Sequence, residues 1–219
     1  MSSPVRDGGL AGSANGPGGR SGLPEIREIL HVMSSVSIQP PVRLGTRTAY
    51  RNPWMSVRED TLVLSDGSTG IYGIVDRDDY ALVIPEENGG FHLVEQFRHA
   101  VGRRSWEFPM GGWAPGKTGD PAELARRELL EETGYTAATW RRLGNRLHGS
   151  TGFCSQGFAI WHATDLTPGE HQREITEADM EQAFVTDAEF RRMVADGRIF
   201  DAPTISAYAV LRLATDAHQ

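Results

Sequence analysis

Short runs of apolar and β-branched residues, separated by turn residues, fill the chain between positions 47 and 97. Runs of this kind are typical of β-strands. They predict strands over 47–57, 61–64, 70–75, 80–85 and 91–97. The last two runs flank Asn88-Gly89-Gly90, and an Asn-Gly pair between two strands is typical of a tight hairpin.

The pattern changes to helical spacing after Asp120. An Asp at the N-cap, a Pro at the first helical position and Glu123 in the first turn are typical of a helix start. Ala125 and Leu129 then lie on one apolar stripe, and Gly134 is a typical C-terminal stop. We therefore expect a helix between Asp120 and Gly134.

The C-terminal third returns to strands and then to helices. The pattern predicts strands over 143–147, 157–163 and 182–186. A capping box at Thr186 and Glu189 begins a helix that ends at Gly197, and a last helix runs over 203–214. Strands, a helix, more strands and then helices are typical of an α+β fold or a mixed-sheet sandwich.

The first 42 residues differ from the rest in composition. Residues 1–24 are rich in Gly, Ser and Pro and have almost nothing to bury, which predicts a disordered leader. A short helix is expected around Ile26 to Leu30, where apolar residues fall at helical spacing. The predicted organisation is thus a leader over 1–42, a β-rich extension over 43–78 and a main domain over 79–219.

Charge and cysteine content narrow the class of protein. Lys and Arg number 22 and Asp and Glu 29, which gives a net charge of −7 and argues against binding of nucleic acid through overall charge. The single cysteine, Cys154, allows neither an intramolecular disulfide nor a cysteine zinc site. The chain contains no apolar stretch of membrane-spanning length. We expect a cytoplasmic protein that binds neither nucleic acid nor membranes.

Three carboxylates lie on one face of the predicted helix. Glu131 and Glu132 follow Glu128 at spacings of 3 and 4, so they fall within one helical turn. Two interpretations remain open from the residues alone. The face is either solvated and neutralised by Arg126 and Arg127, or it binds a hard divalent cation through oxygen ligands.

The surrounding residues resemble the Nudix hydrolase signature, G-x5-E-x7-R-E-U-x-E-E-x-G-U, where U is a bulky aliphatic residue. The second half of the signature matches at Arg127, Glu128, Leu129, Glu131, Glu132 and Gly134. Tyr135 takes the last aliphatic position, a mild departure. The resemblance spans about 43–214 and implies an α/β/α sandwich around a mixed sheet.

The first half of the signature departs from the family pattern. Gly119 stands eight residues before Arg127, where the first signature Glu is expected, and Lys117 stands six after Gly111. A two-residue insertion in the loop 114–119 accounts for this spacing, with the first Glu absent. Lys117 is either a partner of a substrate phosphate or an exposed loop lysine.

The resemblance implies a metal-dependent reaction. Nudix enzymes cleave a diphosphate that joins a nucleoside to another group. By resemblance, Mg²⁺ or Mn²⁺ is bound by Glu128, Glu131 and Glu132 with a backbone oxygen of Met110 or Gly111. Arg127 would orient the carboxylates by ion pairing.

The layout outside the signature is similar to that of the ADP-ribose and nucleotide-sugar pyrophosphatases. This similarity implies a homodimer supported by the N-terminal strands. It also implies a loop Glu that acts as base, with Glu177 the first candidate and Glu174 the second, and a solvated acidic loop is the alternative. The candidate substrate contacts are Arg98, Arg103, Glu107, Lys117 and Gln156. Structural ion pairs are the alternative role of the two arginines. Gln156 stands where many ADP-ribose enzymes carry Glu. Candidates for base stacking are Trp54, Tyr72, Trp106 and Phe153, and core packing is their alternative role.

We therefore expect hydrolysis of ADP-ribose or an NDP-sugar to a nucleoside monophosphate and a sugar phosphate. Two alternatives stay open. The enzyme acts on another diphosphate, such as a dinucleotide or a nucleoside triphosphate, or the chain is a Nudix-like sensor without turnover. The complete carboxylate set speaks against the sensor.

Overall fold

The computed structural model describes residues 40–173 and 175–216. The strands are β1 (Val42–Arg51), β2 (Ser56–Val63), β3 (Thr69–Asp76), β4 (Tyr80–Glu87), β5 (Gly90–Arg98), β6 (Arg103–Glu107), β7 (Met110–Gly112), β8 (Thr136–His148), β9 (Gly157–Thr167) and β10 (Glu181–Thr186). The α-helices are α1 (Pro121–Thr133), α2 (Asp187–Ala195) and α3 (Ala202–Asp216), and a 3₁₀ helix spans Ile175–Glu177. Within this described part, no helix has the length and apolar character to cross a bilayer.

The first three strands form an antiparallel sheet in the order β1-β2-β3. The single strand predicted over 47–57 is wrong, because the chain turns between β1 and β2. The side chain of Asn52 makes that turn by accepting hydrogen bonds from the amides of Trp54 and Met55, at 2.9 and 2.8 Å. Pro53 lies inside the turn and has no amide proton to donate to a sheet.

A seven-stranded sheet forms the centre of the main domain. Its main path is β10-β5-β4-β9-β8, with β6 paired to β5 and β7 paired to β4. The β4–β9 pair is parallel, while the other strand pairs of this sheet are antiparallel. The predicted mixed sheet is confirmed.

Strand β4 explains why both faces of this sheet are covered. Leu82 and Ile84 point to one face, where they pack in a core with residues of α2 and α3. Ala81 and Val83 point to the other face, where they pack against α1. Successive side chains of a strand alternate between faces, so a continuous apolar run requires helices on both sides. The predicted α/β/α sandwich is confirmed.

Helix α1 begins and ends where the sequence predicts. The carboxylate of Asp120 caps it by accepting from the amide of Ala122 at 3.0 Å. Gly134 ends it in the left-handed conformation, with φ at 76°. The chain segment 169–171 packs directly on Gly134, so a larger residue there would contact backbone atoms.

Gly134→Ala is expected to lower the free energy of unfolding more than Gly116→Ala does. Both glycines have positive φ, 76° and 75°, which costs an L-residue about 1–2 kcal/mol. At Gly134 a Cβ would also lie 2.6 Å from the carbonyl oxygen of Gly169, whereas at Gly116 no described atom lies within 4 Å. Urea denaturation of the two variants checks this, and equal losses would contradict a tight fit of the 169–171 segment on the helix end.

The other predicted strands and helices of the main domain are confirmed, with shifted ends. Strands β6 and β7 were not predicted, because both are short and lack a clear apolar alternation. The predicted leader over 1–42 and its short helix lie almost wholly outside the described residues.

Candidate active site

Helix α1 buries two of the three predicted metal-binding carboxylates. Glu128 and Glu132 are 5% and 1% exposed and lie one turn apart on the face of α1 that meets the sheet. Glu131 is half-buried beside them. Charged side chains this deeply buried are rare unless they are paired or bind a metal, so a merely solvated helix face does not describe this cluster.

Strand β7 lies directly against the buried carboxylates. A Cβ on Gly111 would stand 2.2 Å from Oε2 of Glu128, so a larger residue here would displace this carboxylate or the strand. The amide of Met110 donates a hydrogen bond to Oε2 of Glu132 at 3.2 Å. The two halves of the signature therefore meet, and the backbone of β7 completes the same site as the carboxylates.

Arg127 pairs with two of the three carboxylates. Its Nη2 lies 3.0 Å from Oε1 of Glu128, and its Nε lies 3.2 Å from Oε2 of Glu131. The same guanidinium donates to the carbonyl of Gly112 at 3.2 Å and lies 4.9 Å from the ring centre of Trp113. Arg127 thus links α1 to β7 and the loop that follows.

The electrostatic environment raises the pKa of both buried carboxylates. Burial raises the pKa of Glu128 to about 7, and the charges of Glu131 and Glu177 add to this while Arg127 opposes it. Burial also raises the pKa of Glu132 well above its usual range, aided by the charges of Glu128 and Glu177. Burial and the neighbouring negative charges both oppose ionisation of these two carboxyl groups in the absence of a bound cation.

The donor chemistry of this cluster fits a hard divalent cation. All of its side-chain donors are carboxylate oxygens, which Mg²⁺ and Mn²⁺ prefer. Among the described residues, no group of three or more His, Cys, Asp or Glu side chains converges as a ready-made metal site. Here the ion pairs of Arg127 occupy part of the carboxylate oxygens. A cation bound here would share the carboxylates of Glu128 and Glu131 with Arg127, which pairs with one oxygen of each.

In protein freed of divalent ions, stability is expected to fall as pH rises through 7. The pKa of Glu128 is about 7 in the folded chain against a usual value of 4.5, so the folded state binds this proton more tightly. The resulting stability is fully present below pH 4.5 and is lost as pH rises through 7, by about 3 kcal/mol. Urea denaturation at pH 5 and pH 8 with a chelator should show a smaller decrease in Glu128→Gln than in wild type. The same decrease in both proteins would contradict the assignment.

A cavity of about 580 Å³ opens beside β7. Three arginines, Arg77, Arg98 and Arg127, line it, as do three aspartates, Asp78, Asp79 and Asp201. Its other lining residues are Pro53, Trp54, Tyr80, Met110, Gly111, Gly112, Trp113, Ala114, Pro115, Gln156 and Pro203. The cavity combines positive groups for phosphate with acceptors for hydroxyl groups.

Only some of the predicted substrate contacts lie at the cavity. Arg98 and Gln156 line the cavity. Glu107 is 1% exposed and holds Arg98, whose Nε donates to its two oxygens at 2.9 and 3.0 Å. Arg103 and Lys117 are not among the described residues that line the cavity. Arg103 instead donates to the carbonyl of Gly197 and lies over the ring of Phe200.

The four aromatic candidates for base stacking also differ in where they lie. Trp54 is 65% exposed and lines the cavity, whereas Trp106 packs against the main core. Tyr72 donates to the carbonyl of Gly152, and Phe153 accepts from the amide of Val75 at 2.7 Å through its carbonyl. The second base candidate, Glu174, lies outside the described residues.

Some residues of the site were not identified from the sequence. Arg77, Asp78, Asp79 and Asp201 line the cavity from chain segments far apart in sequence. They lie in loops or at element ends, outside any motif. From the sequence, Arg77, Asp78 and Asp79 are recognisable only as residues that follow the strand predicted over 70–75. Asp201 is recognisable only as a residue that precedes the helix predicted over 203–214.

A helix with buried carboxylates lies on a mixed sheet, beside a cavity lined by three arginines and three aspartates, which is the layout of an enzyme for a small polar substrate. The chain belongs to the Nudix family, because the model of the NUDIX domain matches residues 76–206. The model of the nucleoside diphosphate sugar hydrolase N-terminal domain matches residues 43–75.

Curated relatives agree with this family. An ADP-ribose pyrophosphatase of Mycobacterium tuberculosis is 31% identical over 180 residues, which cover 78% of this chain and 83% of that protein. An ADP-ribose pyrophosphatase of Bacillus subtilis is 31% identical over 134 residues, covering 61% and 71%. The methanol dehydrogenase activator of Bacillus methanolicus is 28% identical over 172 residues, covering 78% and 91%.

A solved structure supports the same fold. The crystal structure of an ADP compounds hydrolase has a TM-score of 0.71 with this chain at 24% identity, covering 84% of this chain and 98% of that one. The expected Nudix resemblance is confirmed. The chain is a pyrophosphohydrolase that acts on nucleoside diphosphate-linked compounds, and its family uses divalent metal ions.

Proposed function

We propose that the protein hydrolyses ADP-ribose to AMP and ribose 5-phosphate, with Mg²⁺ or Mn²⁺ as cofactor. The observation that carries this proposal is the burial of Glu128 and Glu132 against Gly111, beside the 580 Å³ cavity. Two relatives at 31% identity are named ADP-ribose pyrophosphatases, which supports this choice of diphosphate.

The carboxylates of Glu128, Glu131 and Glu132 hold the metal ion in this proposal, together with a backbone oxygen of Met110 or Gly111. A divalent cation at this position neutralises the diphosphate and assists attack by water on phosphorus. Arg127 keeps the carboxylates oriented through its ion pairs with Glu128 and Glu131.

Guanidinium groups in the cavity bind the phosphates. Arg98 is 37% exposed at its side chain and is held by the buried Glu107, so it reaches the cavity with its orientation already fixed. Fixing the orientation in advance reduces the entropy lost on binding. A guanidinium donates two parallel hydrogen bonds to a phosphate, and Arg77 and Arg98 are the groups we assign to this role.

We assign the base and the ribose hydroxyl groups of the substrate to other residues that line the cavity. Trp54 offers an exposed ring for stacking a base, and Asp78 and Asp201 offer acceptors for ribose hydroxyl groups. The carboxylate of Asp79 is held by Arg146. Gln156 donates to the carbonyl of Asp78 at 2.7 Å. It therefore supports this part of the cavity wall.

Glu177 is proposed as the general base. Its negative charge contributes to the raised pKa of both Glu128 and Glu132, which supports a position within electrostatic reach of these carboxylates. A carboxylate within hydrogen-bond reach of the attacking water can take its proton.

A homodimer is proposed as the working form. Val42, Leu44 and Ile71 of the N-terminal sheet are 63%, 60% and 74% exposed, and exposed apolar side chains on one small sheet suit contact with a second copy. We also propose a cytoplasmic location, consistent with the single cysteine, and a small nucleotide rather than nucleic acid as partner.

A product assay tests this function. The protein is incubated with Mg²⁺ and, separately, with ADP-ribose, NDP-sugars, NADH, diadenosine polyphosphates and nucleoside triphosphates, and the products are separated by chromatography. AMP and ribose 5-phosphate should form from ADP-ribose with the highest kcat/KM of the panel. A higher kcat/KM on another diphosphate would overturn the choice of substrate, and no turnover of any diphosphate would support a sensor.

A further inference from the structure

The chain between β9 and β10 contains Glu177 and bonds to the end of the carboxylate helix through Gln172 and Arg173. The part of it that the structure describes, 168–173 and 175–180, contains a single short 3₁₀ turn at Ile175–Glu177. We call this part the base loop. Its position must come from contacts with neighbouring elements, since no strand pairing is recorded within these described residues.

Arg173 connects the base loop to the C-terminal end of α1. Its Nε donates to the carbonyl of Glu132 at 3.0 Å, and its Nη1 donates to the carbonyl of Met180 at the other end of the loop. One guanidinium therefore holds the first and last parts of the loop and the helix end together. The adjacent amide of Gln172 donates to the carbonyl of Glu131 at 3.0 Å.

The bonds from Arg173 and Gln172 supply donors to carbonyl groups at the C-terminal end of α1. The last carbonyls of an α-helix have no intrahelical donor, and a positive charge near them is favourable. The last turn of α1 has no basic residue, so Arg173 supplies both a donor and a charge from the loop. An arginine suits this role because its planar group donates in two directions from separate nitrogens.

The far end of the base loop has its own anchor. Arg104 of β6 donates to the side chain and to the carbonyl of Asp179, both at 2.8 Å. Loss of Arg173 would therefore free the middle of the loop while leaving Asp179 attached. The position of Glu177, two residues from this anchor, depends on both attachments.

We propose that Arg173 is a positioning residue: it fixes the base loop on the end of α1 and thereby sets the place of Glu177 relative to Glu128 and Glu132. This inference rests on the proposed function, in which Glu177 is the general base. Arg173 acts through Glu177 and does not itself contact the substrate.

Hydrogen exchange and kinetics of Arg173→Met test this role. In protein without substrate, amides of the base loop should exchange at least about tenfold faster than in wild type, while those of β4 stay unchanged. The kcat for ADP-ribose should fall about tenfold or more, with KM within about twofold. In a Glu177→Gln background, adding Arg173→Met should cause no further loss of kcat.

Two further variants serve as comparisons. Arg173→Lys keeps the charge but not the two-directional donor, and its loop should exchange as fast as that of Arg173→Met. Arg126→Met, on the exposed side of α1, should behave as wild type. Unchanged exchange in Arg173→Met, wild-type exchange in Arg173→Lys, or an equal kcat loss with Glu177→Gln present would overturn the proposal. If wild type cleaves no diphosphate, the proposed function fails, whereas the exchange data still decide whether Arg173 holds the loop.

Discussion

Glu132→Gln is expected to lower kcat for diphosphate hydrolysis by about 10³-fold or more. A metal ion contributes several kcal/mol to such a reaction by neutralising charge, and each 1.4 kcal/mol is about tenfold in rate. Gln keeps the shape of Glu132 but removes the charge that we propose binds the cation. The measurement is steady-state hydrolysis of ADP-ribose with saturating Mg²⁺.

The same variant should remain folded and gain stability in the absence of metal. Glu132 is 1% exposed, and burial raises its pKa well above the usual range, so burying this carboxyl group opposes folding at pH values above its ordinary pKa. Glu123→Gln, on the exposed first turn of the same helix, is the matched control and should match wild type in rate. Wild-type turnover in Glu132→Gln would contradict the metal assignment.

Gly111→Ala should lower kcat by about 10²-fold, because a displacement of about 1 Å in a catalytic group has effects of this size. A Cβ at Gly111 would stand 2.2 Å from Oε2 and 2.6 Å from Cδ of Glu128. Neither atom can stay in place at such distances, so the carboxylate or strand β7 must shift. The initial rates of ADP-ribose hydrolysis as a function of Mg²⁺ concentration measure this, and the metal requirement should rise as well.

The neighbouring glycine provides the control for this prediction. At Gly112 a Cβ would have its nearest contact at 3.5 Å, with the carbonyl oxygen of Asp79, an ordinary van der Waals distance. Gly112→Ala should therefore retain most of the activity. If both variants lose activity equally, the loss reflects general disturbance of β7 rather than displacement of Glu128.

The sequence predicts the parts of this molecule that depend on local spacing. Helix α1, its Asp120 cap and its Gly134 stop follow from neighbouring residues, and so does the shared face of Glu128 and Glu132. The apolar run of β4 indicates burial on both sides, and the structure bears this out with helices on both faces.

Contacts between segments far apart in the sequence could not be predicted from it. The bond from the amide of Met110 to Glu132 joins residues 22 apart, and the bond from Arg173 to Glu132 joins residues 41 apart. Neither pair has a spacing rule that could reveal it. Asp201 reaches the cavity because of the path of the chain before α3, which no local pattern encodes.

The sequence contains a signal against the single strand predicted over 47–57. A proline within a predicted strand argues against that strand, and Pro53 lies inside the run predicted over 47–57. A break at Pro53 separates β1 from β2 and places the adjacent Trp54 in a turn. In the structure, Trp54 lines the cavity from this turn.

Titration of Mn²⁺ followed by electron paramagnetic resonance tests the central claim most directly, because it measures free cation without requiring a substrate. The account predicts that wild type and Glu123→Gln bind Mn²⁺ with equal affinity, and that Glu132→Gln binds it at least about tenfold more weakly, a loss of about 1.4 kcal/mol. Equal Mn²⁺ affinity in all three proteins would contradict a metal site formed by the carboxylates of α1.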